Sequence, residues 1–331
     1  MELPTLWFLL IAVLFTGYFI LEGFDFGVGI LLPLLGRDDR ERRVLINTIG
    51  PVWDGNEVWL ITAAGALFAA FPGWYASLFS GLYLPMLLVL VALIFRGVAF
   101  EYRHKRPEAR WKARWDTAIV LGSLLPAAVW GIVLGNLLRG VPLNAAHDYT
   151  GGLLDLLNPY ALLGGATTTA LFVTHGAVFL ALKTSGEIRV RAGRLAARTA
   201  PATAGAAGAF LATGLAIRNT PAAVGLAAAA AVALVGMLAA TRVRREGWAF
   251  AGTAAAIGLT VTTVFAALFP TVLPSTADPA GTLTVDNAAS SPYTLTVLTW
   301  VAVFFAPVVL AYQGWTYWVF RKRIGVANIP D

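Results

Sequence analysis

Nine stretches of this chain stay apolar for about twenty residues or longer, near 5–33, 50–70, 76–99, 116–138, 159–182, 196–217, 221–241, 248–270 and 293–319. A helix rises about 1.5 Å per residue, so each stretch is long enough to cross a hydrocarbon core about 30 Å thick. The rest of the 331 residues cannot provide a water-soluble surface. Only 13% of the chain is charged and 58% is hydrophobic, with a mean hydropathy of +0.72. A soluble domain carries about 25% charged residues. The expected fold class is an all-α polytopic membrane protein with nine transmembrane helices. Eleven Trp and nineteen Phe exclude a disordered chain. The absence of Cys excludes disulfides, thiolate metal sites and a cysteine nucleophile. Met1-Glu-Leu-Pro lacks the basic start of a cleavable signal.

If all nine stretches span, 22 of the 24 Lys and Arg fall on one side, with only Arg139 and Arg218 opposite. By the positive-inside rule the N-terminus then lies outside and the C-terminus in the cytoplasm. The net charge of +6 marks a face next to anionic headgroups and calls for no nucleic acid partner. The whole chain reads as a single integral membrane domain. Residues 1–138 form a first bundle with the polar motifs, 139–158 an outer loop, and 159–331 the remaining five helices. The loop 271–292, rich in Pro, Ser and Thr, reads as irregular. Residues 196–270, rich in Ala and Gly, are expected to pack tightly.

Ionisable residues inside spans usually face a bundle interior and mark ion, proton or ligand paths. Glu22 and Asp25 lie three apart in the first stretch, and Asp54 and Glu57 three apart in the second, so each pair shares roughly one helical face. Arg96 closes the third stretch at the same boundary. Glu22 and Arg96 either snorkel to water or neutralise a partner. Asp25, in Gly23-Phe24-Asp25-Phe26-Gly27-Val28-Gly29, has a packing role linked to Arg96 as one reading and transport as the other. Asp54 is the more pointed candidate, in a polar patch bracketed by Trp53 and Trp59. His175 is the only His within a span, and a lone His is more often a hydrogen-bonded core residue than a haem ligand. No metal constellation and no nucleotide or triad motif is present.

Six segments in order carry a resemblance. They are Gly23–Gly29, Glu41-Arg42-Arg43-Val44-Leu45-Ile46-Asn47, Trp53-Asp54-Gly55-Asn56-Glu57-Val58-Trp59-Leu60, Phe95-Arg96-Gly97-Val98-Ala99-Phe100-Glu101-Tyr102-Arg103, Gly135-Asn136-Leu137-Leu138-Arg139-Gly140-Val141-Pro142 and Leu295-Thr296-Val297-Leu298-Thr299-Trp300. Together they resemble subunit II of the cytochrome bd quinol oxidase family over about 1–188 and 268–322. The resemblance implies two four-helix bundles plus one peripheral helix, in a prokaryotic plasma membrane. It implies a haem-bearing subunit I as partner, holding two haems b and one haem d, with none ligated by this chain. Quinol and oxygen are the implied substrates of the complex, and a proton-motive force its product. It leaves room for a structural quinone, bound lipid and small accessory subunits. Carried over by residue, Asp54 is the implied proton relay, with Asn56 and Glu57 beside it, and Trp59 lines the oxygen entrance. Asp25, Arg96, Trp53 and Glu22 are left as buried polar or structural groups. A proton-coupled secondary transporter using Asp25, Asp54 and Arg96 is the alternative, and a purely structural scaffold would leave the carboxylates unexplained.

Overall fold

Proline placement decides where the apolar runs become separate helices. The computed structural model describes residues 2–329. Its helices are α1 (Leu3–Leu35), α2 (Asp39–Ile49), α3 (Trp53–Ala70), α4 (Pro72–Gly81), α5 (Tyr83–Tyr102), α6 (Ala109–Arg139), α7 (Pro159–Lys183), α8 (Gly186–Ile217), α9 (Pro221–Arg242), α10 (Glu246–Leu268) and α11 (Pro292–Val319). Helices α7, α9 and α11 each begin on a proline, whose missing N–H costs nothing there. Just before them the side chains of Asn158, Thr220 and Ser291 accept from the backbone N–H of Ala161, Ala223 and Thr294.

Eight helices are long and apolar enough to cross a membrane among the described residues: α1, α5 with the turn that follows it, and α6 to α11. The second expected stretch forms α3, an 18-residue helix that is not one of the eight. The third expected stretch, 76–99, is not one helix but parts of two. Pro85 has no N–H for the carbonyl of Gly81, so α4 ends there and α5 restarts at Tyr83. Two expected loops are also largely helical. Residues 39–49 form amphipathic α2, capped where Asp38 accepts from Glu41 N–H and Glu41 accepts from Arg37 N–H. The basic segment 183–198 continues as α8 from Gly186, leaving only Thr184 and Ser185 between helices.

Helix α1 is the centre of the molecule. It packs on α3, α6, α7 and α10, while α7, α8, α9 and α10 pack in succession and α11 lies against α3 and α1. The close crossing of α1 and α7 depends on glycine. A Cβ on Gly27 would strike the backbone of Phe172 and Gly176, and a Cβ on Gly176 would strike Gly27. Helices α8 and α9 are exposed along much of their length, so tight packing of the Ala- and Gly-rich region holds for α10 and not for all of 196–270. Small side chains let that region approach its neighbours on one face but give it little to bury on the other.

The loop 271–292 is irregular over most of its length, as read, but two short strands anchor it. An antiparallel pair, β1 (Thr271–Leu273) with β2 (Leu283–Thr284), buries Leu273, Leu283 and Val285. Ser275 Oγ donates to the carbonyl of Leu143, and His147 Nδ1 meets the carbonyl of Gly281, so the two outer loops interlock. At the basic end, Asp116 binds Arg42 and Arg103, Asp39 binds Arg103 and Lys112, and Glu41 binds Arg191. These pairs fix α2 to the turn after α5, to α6 and to α8. Partial burial pushes the Asp39 carboxyl up, but hydrogen bonds from Lys112 and Arg103 outweigh it and hold the group below the usual carboxylate range.

Candidate functional site: a buried carboxylate cluster beside an uncovered face

Four helices bring a polar cluster together in an otherwise apolar environment. Glu22 and Asp25 come from α1, Asn56 and Glu57 from the first turns of α3, Arg96 from α5, and Gln313 and Tyr317 from α11. Glu22, Asp25, Asn56 and Arg96 are all wholly buried, at 0% exposure. The Arg96 guanidinium donates to both oxygens of Glu22 at 3.1–3.3 Å and lies 3.5 Å from Glu57. It also sits over the Phe26 ring at 4.7 Å. Neither Glu22 nor Arg96 snorkels to water. Their pairing holds both inside, because a lone buried charge would be far more costly than the pair.

Asp25 takes a different partner from the one expected. Asn56 Nδ2 donates to Asp25 Oδ2 at 2.7 Å, and no direct ion pair joins Asp25 to Arg96 among the described residues. Tyr317 Oη donates to Asn56 Oδ1 at 2.7 Å, and Gln313 Nε2 donates to the same oxygen at 3.3 Å. Trp59 Nε1 in turn donates to Gln313 Oε1 at 2.7 Å. A continuous hydrogen-bonded run therefore leads from Trp59 through Gln313 and Asn56 to Asp25. The Trp59 ring is seated on Gly17, where any Cβ would collide with it. Trp53 packs its ring on Phe100 at 5.2 Å.

Asp54 lies outside this cluster. It is exposed, in the first turn of α3, while Glu57 turns toward Arg96. Residues three apart on a helix diverge by about 60°, which here is enough to put one carboxylate inside and one on the surface. The face around it is apolar and uncovered, with Val58, Ile61, Leu87, Val91, Ile94 and Phe95 exposed on α3 and α5. Helix α11 is also largely uncovered, with Leu295 its one buried residue.

Sequence reasoning missed Gln313 and Tyr317 because they follow Asn56 by more than 250 residues. One signal was available: Gln313 is the only glutamine in the chain and sits inside an apolar stretch.

The chain matches the family model described as cytochrome bd terminal oxidase subunit II over residues 3–320. It belongs to that family. Subunit 2 of the cytochrome bd ubiquinol oxidase of Bacillus subtilis (strain 168) is 45% identical over 330 residues, covering 98% of this chain and 97% of that one. The cytochrome bd-I ubiquinol oxidase subunit 2 of Escherichia coli (strain K12) is 39% identical over 366 residues, covering 98% and 96%. A chain of the solved bd oxidase from Geobacillus thermodenitrificans has the same fold, with a TM-score of 0.79 over 97% of this chain and 99% of that one, at 20% identity. This bd subunit II is thus one part of a terminal quinol oxidase, a multi-pass membrane complex with a partner subunit I and haem cofactors.

His175 does not present a free ring nitrogen to a haem iron. His175 is fully buried, stacked on Phe250 at 4.7 Å, with Nε2 3.2 Å from the carbonyl of Ile20 and Nδ1 2.6 Å from Thr253 Oγ1. Both ring nitrogens are engaged, so no lone pair is directed at a vacant position. Among the described residues no group of three or more His, Asp or Glu could hold a metal ion.

Proposed function

We propose that this chain is the non-haem half of the oxidase, covering subunit I with its α3 and α5 face and supplying part of the cytoplasmic proton path and the oxygen entrance. In this reading nine helices span, α1, α3 and α5 to α11, with α3 as the second span, the N-terminus outside and the basic end in the cytoplasm of a prokaryotic cell. The outer loop 139–158 then divides a single membrane domain into a first bundle and the remaining helices. Subunit I holds two haems b and one haem d, and these carry electrons from quinol to oxygen. The protons that make water come from the cytoplasm, so the charge separation builds a proton-motive force without pumping.

Asp54 is the proposed relay, with Asn56 and Glu57 beside it. The observation that carries this is its position: a carboxylate on an uncovered apolar face, one turn from a buried cluster. A charged group turned toward hydrocarbon is costly, and a covering subunit with a water-filled path removes that cost. Behind it, Glu22, Asp25 and Glu57 outnumber the single guanidinium of Arg96, so the cluster has sites at which to share a proton. Trp59, held by Gln313 and seated on Gly17, is fixed well enough to line a narrow opening for oxygen.

Two variants test the relay. Asp54→Asn keeps the shape and hydrogen bonding but cannot carry a proton. It is expected to slow oxygen uptake per haem d by about tenfold or more, with haem content intact. Asp54→Glu retains partial activity. Normal turnover in assembled Asp54→Asn oxidase would remove Asp54 from the path.

A further inference from the structure

At the basic end of the molecule, away from the carboxylate cluster, the ends of α7, α8, α9 and α10 enclose a cavity of about 270 Å³. Its inner wall is apolar, made by Val178, Ala181, Ala196, Ala240 and Ala249. Its mouth carries Arg189, Arg244 and Glu246. We propose that this cavity binds an anionic phospholipid, with the phosphate on Arg244 and Arg189 and the start of an acyl chain along the apolar wall.

Charge at the mouth is arranged for an anion. Glu246 accepts from Arg189 at 2.6 and 3.1 Å and from Arg323 at 2.6 Å, so one carboxylate orders two guanidinium groups and leaves surplus positive charge. Arg244 adds a third cation at the mouth, and its guanidinium makes no hydrogen bond or ion pair among the described residues. Its backbone sits in the left-handed region at φ 54°, just past the end of α9. Glycine is the usual residue at such a helix end, so an arginine there places a cation at the mouth at a conformational cost. The α8 and α10 N-termini, with their free N–H groups, flank the same opening.

The apolar wall commits the site to a lipid rather than a free anion. Arg189 is in the first turn of α8, and Ala196 lies seven residues further on, about 10 Å deeper. Cation outside and hydrocarbon inside is the order in which a phospholipid presents its headgroup and chain. Basic pockets between membrane helices on the cytoplasmic side bind such headgroups.

The test uses the purified oxidase complex, stripped of lipid in detergent and titrated with phosphatidylglycerol or phosphatidylcholine, with bound lipid counted by native mass spectrometry. Phosphatidylglycerol is expected to bind in preference. Arg244→Gln weakens it about fivefold, and the double variant with Arg189→Gln about 25-fold, while Arg244→Lys binds as the parent does. Gly193→Leu fills the cavity with the charges intact, since a Cβ there meets only Ala181 at 4.0 Å, and it is expected to displace the lipid as well. An unchanged haem spectrum in each variant reports a folded complex. Unchanged lipid binding in the double variant or in Gly193→Leu, or displacement by millimolar inorganic phosphate, overturns the proposal.

Discussion

The α1–α3–α5 side and the α7–α10 side of this molecule solve the problem of buried polarity in opposite ways. Around α1, α3 and α5, the carboxyl groups of Glu22 and Asp25 and the Arg96 guanidinium are buried together beside half-buried Glu57, and Asp25 Oδ1, Glu57 Oε1 and Arg96 Nε accept or donate no hydrogen bond. Across α7, α8 and α10, polarity consists mostly of hydroxyls returned to the backbone or to each other. Thr168 donates to Ala127 O, Thr203 to Ala170 O and Thr263 to Leu259 O, and Thr174 bonds Thr199 and Thr203. The bonds of Thr168, Thr174 and Thr203 stitch helices together in hydrocarbon, that of Thr263 stays within α10, and none carries charge. The first side holds charge available for chemistry, and the second side is scaffold.

The largest expected effect comes from breaking the charged side. Arg96→Leu leaves Glu22 buried without its cation and is expected to cost about 3–5 kcal/mol, seen as lost assembly. Adding Glu22→Gln to that variant should restore part of the haem-loaded complex. On the scaffold side, His175→Leu removes two buried hydrogen bonds, while Thr253 keeps its bond to the carbonyl of Phe250. A loss of about 1–3 kcal/mol in thermal unfolding is expected, with the haem spectrum unchanged. A shifted haem spectrum would show that the scaffold side does touch the chemistry. Tyr317→Phe removes one of the donors to Asn56 and is expected to cost about 1 kcal/mol, read as faster proteolysis near α11. The smallest effect belongs to the surface. Asp39→Asn should cost at most about 1 kcal/mol at neutral pH. Because the folded Asp39 carboxyl is held below its ordinary value of 3.8, that contribution is complete above this pH and fades below it. Melting curves of parent and variant should therefore converge in acid.

The apolar runs in the sequence already marked α1, α3, α7, α9, α10 and α11 to within a few residues, and the ends but not the starts of α6 and α8, because continuous hydrophobicity is a local property. The break between α4 and α5 was also written locally, in Pro85, and Asp38 with Glu41 announced the start of α2. Hydropathy alone passes over both signals. Within the site, the Glu22–Arg96 pairing was legible as one of two options, since both lie near the same end of their helices. The turn of Asp54 away from Glu57 was not, because a spacing of three permits either outcome until neighbours claim one face. The Trp59–Gln313–Asn56–Asp25 run depends on where α11 docks, and that is fixed by tertiary contacts from the far end of the chain.

The difference between the two sides is most directly tested by covering. The chain contains no cysteine, so single cysteines at Ile61 on α3 and Ile94 on α5 can be compared with Val232 and Val235 on α9. All four positions are exposed in the isolated chain, Ile61 at 71% and Val232 at 73%. In the assembled oxidase, labelling with a lipid-soluble maleimide should be blocked at Ile61→Cys and Ile94→Cys and remain free at Val232→Cys and Val235→Cys. Free labelling on α3 and α5 with protection on α9 would place subunit I against the scaffold and contradict the account.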